Sequence, residues 1–415
     1  MGLKRALATG QRSTAALVVG AAIVGAAAAA VPSIVSRARH ATPAAGATII
    51  SRATESEVTS AEGLTARIRE AEARLAAQPD DAGAAMRLSE ALLRRARATG
   101  DTRSVDRAGA VLRAVLKTDP GQYDALRMLG AIQLSQHRFR EALETGTRAR
   151  DERPDDPWNY GVMGDAQIEL GEYESAFRSF DTMMSMRPGA AAYGRVAYAR
   201  ELQGDLAGAL DAMQLAARAT AAPDNEATAW YQAQIGELYL RLGNLDEADR
   251  AFRYAAFVYP NYPMAIVGQG KVRLARGDRD AALKIYLDEL SRAPTLDLAA
   301  RIGDVYATAG NAAESERYFQ LAEDLAGPPI AQTEANLALF LADHDRKLTE
   351  AVTIAESVAR VRRDIHTMDA LAWAYFKTGQ VSKAAQASAQ ATRTGSRDER
   401  LRWRAAEIQR ASRGH

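Results

Sequence analysis

Between residues 80 and 395 the apolar positions recur in short stripes at helical spacing, and polar breaks separate the stripes. The clearest example lies between Trp230 and Pro260. Gly243 and Asn244 interrupt its pattern, and Pro260 ends it. The stripe that follows the break is formed by Leu245, Ala248, Phe252 and Ala255. This stretch therefore predicts two helices joined by a tight turn.

Prolines mark a regular period along the chain. They stand at Pro120, Pro154, Pro188, Pro223, Pro260, Pro294 and Pro328, with intervals of 34, 34, 35, 37, 34 and 34 residues. A fixed period near 34 residues is typical of stacked helical hairpins. One hairpin cannot bury its own apolar face, so each copy needs a neighbour on either side.

Small residues recur at two fixed positions of the repeat. The first helix of each repeat carries Gly130, Gly164, Ala197, Gly236, Gly270, Gly303 and Ala372. The second helix carries Ala142, Ala176, Ala209, Ala248, Ala282, Ser315 and Ala384. The aromatic position holds Phe180, Phe252, Tyr286 and Phe319, whereas Gly146, Met213 and Ser388 depart from it. A small residue lets two helices approach, and a bulky residue opposite fills the gap.

In this period and at these positions the chain resembles the tetratricopeptide repeat family, and the resemblance implies an all-α fold. We expect a right-handed superhelical solenoid of helix–turn–helix hairpins over residues 61–398, with about eight to nine repeats and capping helices. Residues 61–78 should form the first cap, and residues 399–415 a capping helix and basic tail built around Leu401, Trp403 and Ile408. The hairpins are expected at 82–119, 123–154, 157–188, 190–222, 229–260, 263–294, 296–327, 331–361 and 365–392, with residues 223–226 lengthening one junction.

The amino terminus is different in kind. Three basic residues, Lys4, Arg5 and Arg12, precede 24 uncharged residues from Ser13 to Ser36. This order predicts either a signal peptide or a single transmembrane anchor within residues 1–40, followed by a linker over 41–60. Small residues at 26–30 permit cleavage. The apolar run continues beyond them, which favours retention as an anchor. If residues 13–36 are not removed, they hold the chain in the membrane. We expect the repeats outside the cytoplasm, either periplasmic or tethered to the inner membrane of a bacterial-type envelope.

Composition excludes several kinds of chemistry. The 53 basic and 52 acidic residues nearly cancel, so no overall attraction to nucleic acid is expected. The absence of cysteine excludes disulfides and cysteine-based zinc sites. The sequence contains no glycine-rich phosphate loop and no G-x-S-x-G. Asp343, His344 and Asp345 are adjacent, but on a charged turn they are expected to be solvated. We therefore expect no catalytic residues, metal, cofactor or small-molecule substrate.

In the tetratricopeptide repeat family, the first helix of each hairpin lines the concave side and binds proteins or peptides. By register, the resemblance implies partner-binding positions at Trp158, Asp165, Tyr198, Trp230, Glu237, Arg241, Lys271, Asp304, Trp373 and Lys377. Trp230 and Glu237 are seven residues apart and share a helix face. The alternative for each tryptophan is that it packs on a neighbouring hairpin.

These observations favour a non-enzymatic scaffold or adaptor that is exported or membrane-tethered. Two other hypotheses stay open at this point. One is a membrane-anchored regulator or assembly chaperone that faces the cytoplasm. The other is a subunit that positions the enzyme of a complex.

Overall fold

The computed structural model describes residues 61–78, 80–99, 102–220, 224–326 and 334–413. These residues form twenty helices and no strand, so the all-α prediction is confirmed. In chain order the helices are α1 (Ala61–Ala77), α2 (Ala82–Thr99), α3 (Thr102–Thr118), α4 (Tyr123–Ser135), α5 (Phe139–Glu152), α6 (Pro157–Glu169), α7 (Tyr173–Met186), α8 (Ala190–Leu202), α9 (Leu206–Ala219), α10 (Asn225–Arg241), α11 (Leu245–Val258), α12 (Pro263–Ala275), α13 (Arg279–Arg292), α14 (Leu296–Thr308), α15 (Ala312–Ala326), α16 (Glu334–Asp343), α17 (Leu348–Val361), α18 (Ile365–Lys377), α19 (Val381–Ala391) and α20 (Glu399–Arg413).

The predicted membrane-directed segment 1–40 and the linker 41–60 lie outside the described residues. Within the described ranges, none of the helices combines the length and the apolar character that crossing a bilayer requires.

The hairpin over residues 225–258 shows how the repeat pattern folds. Helix α10 begins at Asn225, four residues earlier than the sequence predicts, because the Asp224 carboxylate accepts a hydrogen bond from the Ala227 backbone N–H at 2.9 Å and caps the helix. Asn225 and Glu226 are therefore the first turn of a long helix and not part of an extended junction. The break between the helices lies at Gly243, whose φ of +79° reverses the chain.

The predicted pairing of a small residue with an aromatic ring is confirmed in this hairpin. Phe252 of α11 is fully buried, and its ring lies against Gly236 of α10 and against Gly268 of the next hairpin. A methyl group on either glycine would fall within 2.9 Å of the ring, since the nearest distances are 2.7 and 2.3 Å. The same arrangement pairs Gly270 with Tyr286. Close approach of three helices therefore depends on the absence of a side chain at these positions.

The helices group into two compact units, which among the described residues comprise 61–166 and 167–413. In the amino-terminal unit α1 packs against α2, with Ile68 in a core that continues through Leu92, Leu112 and Leu126. The boundary between the units falls inside α6.

In the carboxy-terminal unit, each hairpin packs against its neighbours, and first helices lie on the inner side of the curve. Successive first helices contact one another directly at α10–α12, α14–α16, α16–α18 and α18–α20. No comparable contact joins two successive second helices in the part of the chain that the structure describes. Helices that approach each other more closely lie on the inside of a curved stack. We call the surface formed by the first helices α8, α10, α12, α14, α16 and α18 the inner face.

The last helix, α20, differs from its sequence interpretation. Leu401 and Ile408 are buried as predicted, but Trp403 is 52% exposed. Arg404 takes the buried position instead, because its guanidinium donates to the Asp369 carboxylate at 2.6 and 3.0 Å. A paired arginine can be buried where an unpaired one could not.

Candidate partner-binding face

Two ion pairs join successive first helices on the inner face of the carboxy-terminal unit. Arg241 of α10 pairs with Glu201 of α8, and Lys271 of α12 pairs with Glu237 of α10, with 2.6 Å between the Lys271 Nζ and Glu237 Oε1 atoms. All four side chains retain about a quarter of their solvent exposure, at 26–27%. We call these two pairs the charge ladder. Three of its four members are sequence-predicted site residues.

Further along the inner face, Asp304 of α14 lies 3.5 Å from the Nε2 atom of His344. The His344 ring also lies on Phe319, with 4.0 Å between the ring centroids. Burial lowers the pKa of His344, although Asp304 and Asp343 oppose this shift. Burial likewise raises the pKa of Asp304, although His344 opposes it. The packing thus disfavours charge on both groups.

The adjacent residues Asp343, His344 and Asp345 turn towards three different partners. Asp343 lies 3.4 Å from Arg404, and Asp345 lies 2.6 Å from the Nζ of Lys377. They therefore do not converge on one point. No group of three or more His, Cys, Asp or Glu side chains within the described ranges is placed to hold a metal ion.

The aromatic candidates of this unit differ in accessibility. Trp230 is half-buried and contacts Tyr231 edge-on, with 4.9 Å between the ring centroids. Tyr198 is half-buried, and burial, together with Glu169 and Asp364, raises its pKa well above the usual value. Trp373 is only 4% exposed. Trp230 and Tyr198 can therefore offer contact area, whereas Trp373 is largely enclosed.

Trp373 is the centre of an aromatic cluster that the sequence analysis assigned only in part. Its ring stacks on Phe376 with 5.0 Å between the centroids and lies 5.3 Å from the ring of Trp403. The Lys377 ammonium lies 5.6 Å from the centroid of the Trp373 ring. Trp403, which belongs to α20, is the exposed member of this cluster.

The remaining two candidates, Trp158 and Asp165, belong to the amino-terminal unit. Both are buried, at 5% and 3% exposure. The Arg127 guanidinium lies 5.1 Å from the centroid of the Trp158 ring. In this conformation the two residues contribute to packing within their own unit.

The sequence analysis did not place Glu201, His344 or Trp403 among the partner-binding positions. It interpreted His344 as a solvated turn residue and Trp403 as part of the core of the cap. The repeat itself contained a signal for the charge ladder, because Glu237 and Lys271 are 34 residues apart and occupy the same register position. Opposite charges separated by one repeat length predict a contact between successive first helices. No such spacing relates Trp403 to Trp373.

Comparisons with known proteins agree with the repeat pattern. The family described as "Tetratricopeptide repeat" matches residues 93–157, 162–226 and 234–297. Members of this family are generally non-enzymatic scaffolds that bind proteins. A search of curated proteins finds no sequence that matches this chain.

Among solved structures, the human IFIT1 dimer with PPP-AAAA matches with a TM-score of 0.52 and 14% identity, covering 75% of this chain and 72% of that one. A tetratricopeptide repeat protein from Parabacteroides merdae matches with a TM-score of 0.44 and 19% identity, over 66% of this chain and 98% of that one. PilF of Pseudomonas aeruginosa matches with a TM-score of 0.42 and 14% identity, over 51% and 95%. At these identities the likeness is one of fold. The repeat period, the helix pairs and the family match together show that this chain contains an array of tetratricopeptide repeats.

Proposed function

We propose that this chain is a non-enzymatic scaffold that binds a protein or peptide segment on the inner face of its carboxy-terminal unit, outside the cytoplasm. The observation that carries the proposal is the charge ladder. Glu237 and Arg241 share α10 with Trp230, and Glu201 shares α8 with Tyr198, so charged and aromatic groups are mixed along these first helices. This mixture is characteristic of protein recognition sites.

The ion pairs of the charge ladder can be replaced by ion pairs with a bound segment. An ion pair that keeps a quarter of its exposure contributes only about 0–1 kcal/mol to stability. A carboxylate or ammonium group of an arriving segment can therefore replace Glu237 or Lys271 as a pairing partner at low cost. Helix α10 carries both signs and lies between an acidic residue on α8 and a basic residue on α12, so the face favours a segment that itself carries charges of both signs.

A triple variant of one helix tests the proposed site. Replacing Trp230, Glu237 and Arg241 with Ala, Gln and Gln removes an aromatic group and two charges from α10. The matched control replaces Tyr254, Glu247 and Arg250 with the same three residues on α11 of the same hairpin, where Glu247 and Arg250 also form an ion pair. We expect the inner triple to reduce partner capture in the native host, with unchanged helicity, and the control to retain it.

Site-specific photo-crosslinking identifies the bound partner directly. A photoreactive residue at position 271 should yield a discrete adduct, whereas one at the exposed position 254 should not. Equal adducts from both positions would place binding outside the inner face. An enzyme as the crosslinked partner would favour the positioning role over the scaffold role.

The location outside the cytoplasm rests on the amino-terminal order of basic residues, uncharged run and linker. Alkaline phosphatase fused after residue 60 is active only outside the cytoplasm, so active enzyme is the expected result. Inactive phosphatase, together with a normally maturing fluorescent reporter at the same junction, would favour the cytoplasm-facing regulator. Mass spectrometry of the mature amino terminus distinguishes a cleaved signal from a retained anchor.

A further inference from the structure

One contact in the carboxy-terminal unit does not follow the order of the hairpins. The turn region 169–173 touches the segment 362–365, about 190 residues further along the chain. The Ile365 backbone N–H donates to the Tyr173 hydroxyl at 2.7 Å, and the Arg363 backbone N–H donates to the Glu169 carbonyl oxygen at 2.7 Å. The Tyr173 ring and Ile365 also share a buried apolar cluster with Leu202 and Leu401.

A second part of this contact joins the turn 203–205 to the segment 393–401. Here, if Gly204 carried a side chain, its Cβ would fall 2.6 Å from the Gly395 carbonyl oxygen. The Arg393 guanidinium donates to the Gly171 carbonyl oxygen at 2.9 Å and lies 4.9 Å from the centroid of the Tyr173 ring. We call the whole contact, of residues 169–173 and 202–205 with 362–365 and 393–401, the clasp.

At two turns of the clasp there is no room for a side chain, whereas the equivalent turns of other repeats leave this space open. Gly171 and Gly204 lie in turns between a first and a second helix, with φ of +73° and +79°. Gly243 and Gly310 occupy the equivalent turns with φ of +79° and +75°, yet a Cβ there would meet nothing within 4 Å. At Gly171 a Cβ would lie 2.5 Å from the Arg363 carbonyl oxygen. Gly171 and Gly204 are therefore required both by the conformation of the turn and by the close contact across the clasp.

Charge reinforces the clasp at its centre. The Arg362 guanidinium lies 2.9 Å from both the Glu169 and the Asp364 carboxylates. Burial would raise the pKa of Asp364, but Arg362 and the hydrogen bonds from Thr367 hold it below its usual value. The anionic form of Asp364 is thus favoured.

Through the clasp the stack of hairpins that starts near residue 167 returns to contact its own beginning, so the stack closes into a ring. The first helices lie on the inside of this ring. We propose that the clasp is a separable latch that gates the access of large molecules to the inner face. Its use in partner binding rests on the proposed function, but its opening does not.

The contact is separable for a physical reason. It is built largely from turns and from one small apolar cluster, whereas the hairpins are held by extended helix–helix contacts. When the clasp opens, α7–α8 and α18–α20 keep the neighbours next to them in sequence. Local contacts of this kind open at lower free energy than the core of a repeat array.

Two pairs of substitutions test the latch. Gly171→Asn with Gly204→Asn should open it, since each new side chain meets a backbone carbonyl across the clasp. Gly243→Asn with Gly310→Asn is the matched control, because asparagine meets the same positive φ in open space. In both double variants asparagine adopts a positive φ at the same free-energy cost. A difference between the two variants therefore reports on the clasp alone.

Because the natural chain has no cysteine, engineered cysteines give clean probes. Spin labels at the exposed positions 172 and 402 report the distance across the clasp by double electron–electron resonance. We expect one short distance in the parent and the control, and a longer, broader distribution in the clasp variant with unchanged circular dichroism. An unchanged distance would overturn the latch, and lost helicity would show that the clasp is an inseparable part of the fold.

Gating is measured by the reaction of a single cysteine at position 304 of the inner face with maleimides. A small maleimide should react at equal rates in all proteins. A maleimide on a long polymer should react roughly tenfold faster in the clasp variant, the population shift expected from losing about two hydrogen bonds. A cysteine at the outer position 254 should show no difference. If the spin labels show that the clasp variant has opened but the polymer maleimide reacts at position 304 as slowly as in the parent, gating is refuted. This result does not depend on the partner experiments.

Discussion

A methyl group at Gly236 tests the packing rule on which the repeat depends. The added carbon would lie 2.7 Å from Cε1 of Phe252, well inside a van der Waals contact. The ring cannot move away freely, because it is fully buried and Gly268 of the next hairpin also packs closely against it, where even a Cβ would fall 2.3 Å from the ring. The Gly236→Ala variant must therefore separate two helices or tilt the ring.

The expected magnitude comes from two opposing effects. Alanine is a better helix former than glycine by about 1 kcal/mol, which favours the variant. Overpacking a close contact costs about 1–3 kcal/mol. Gly194→Ala is the matched control, since Gly194 is also inside a first helix but its added carbon would meet the Tyr231 ring at an ordinary 3.4 Å. The difference in the free energy of unfolding between the two variants should equal the overpacking cost of about 1–3 kcal/mol.

Thermal unfolding followed by circular dichroism measures this difference. For a unit of this size, 1 kcal/mol shifts the midpoint by about 2–4 °C. Hydrogen exchange of α10 to α13 shows whether the loss is local, as expected for a repeat array. Gly236→Leu should be more destabilising than Gly236→Ala. Equal midpoints for the Gly236→Ala and Gly194→Ala proteins would refute the proposed contact.

A double variant checks the identity of the contact. Phe252→Leu alone should destabilise the unit, because it leaves a gap in a filled position. In the Gly236→Ala background the same change should cost less, since the smaller side chain makes room for the methyl group. Strictly additive effects would mean that the methyl group clashes elsewhere.

Two buried charged groups give further predictions. Because the folded state holds the pKa of Asp364 below its usual value, the stabilisation from this carboxylate should be complete above about pH 4 and lost as the pH falls through the folded pKa. Asp364→Asn should therefore weaken the acid dependence of the thermal midpoint, and an unchanged acid profile would contradict the assignment. Arg404→Met should cost about 3–5 kcal/mol by leaving Asp369 buried without its partner, whereas Arg404→Met with Asp369→Leu should be far less destabilised. Chemical denaturation of both proteins checks this, and equal losses would show that the pair itself supplies the stability.

The sequence by itself determined the repeating part of this protein. Proline spacing and apolar stripes placed the helices, because helix formation and hairpin packing depend on residues close in the chain. The pairing of Gly236 with Phe252 was readable for the same reason. The Glu237–Lys271 contact was also encoded, since opposite charges one repeat apart must lie on successive helices.

Only the tertiary structure decided which features depart from the repeat. Gly204 and Gly243 look alike in sequence. A Cβ at Gly204 would meet Gly395, about 190 positions away, whereas a Cβ at Gly243 would meet nothing within 4 Å. Whether a stack of hairpins returns to meet itself depends on the summed small rotations between neighbours. No local pattern encodes that sum. The burial of Arg404 in place of Trp403 has the same origin, because it depends on where Asp369 lies after the preceding hairpin has packed.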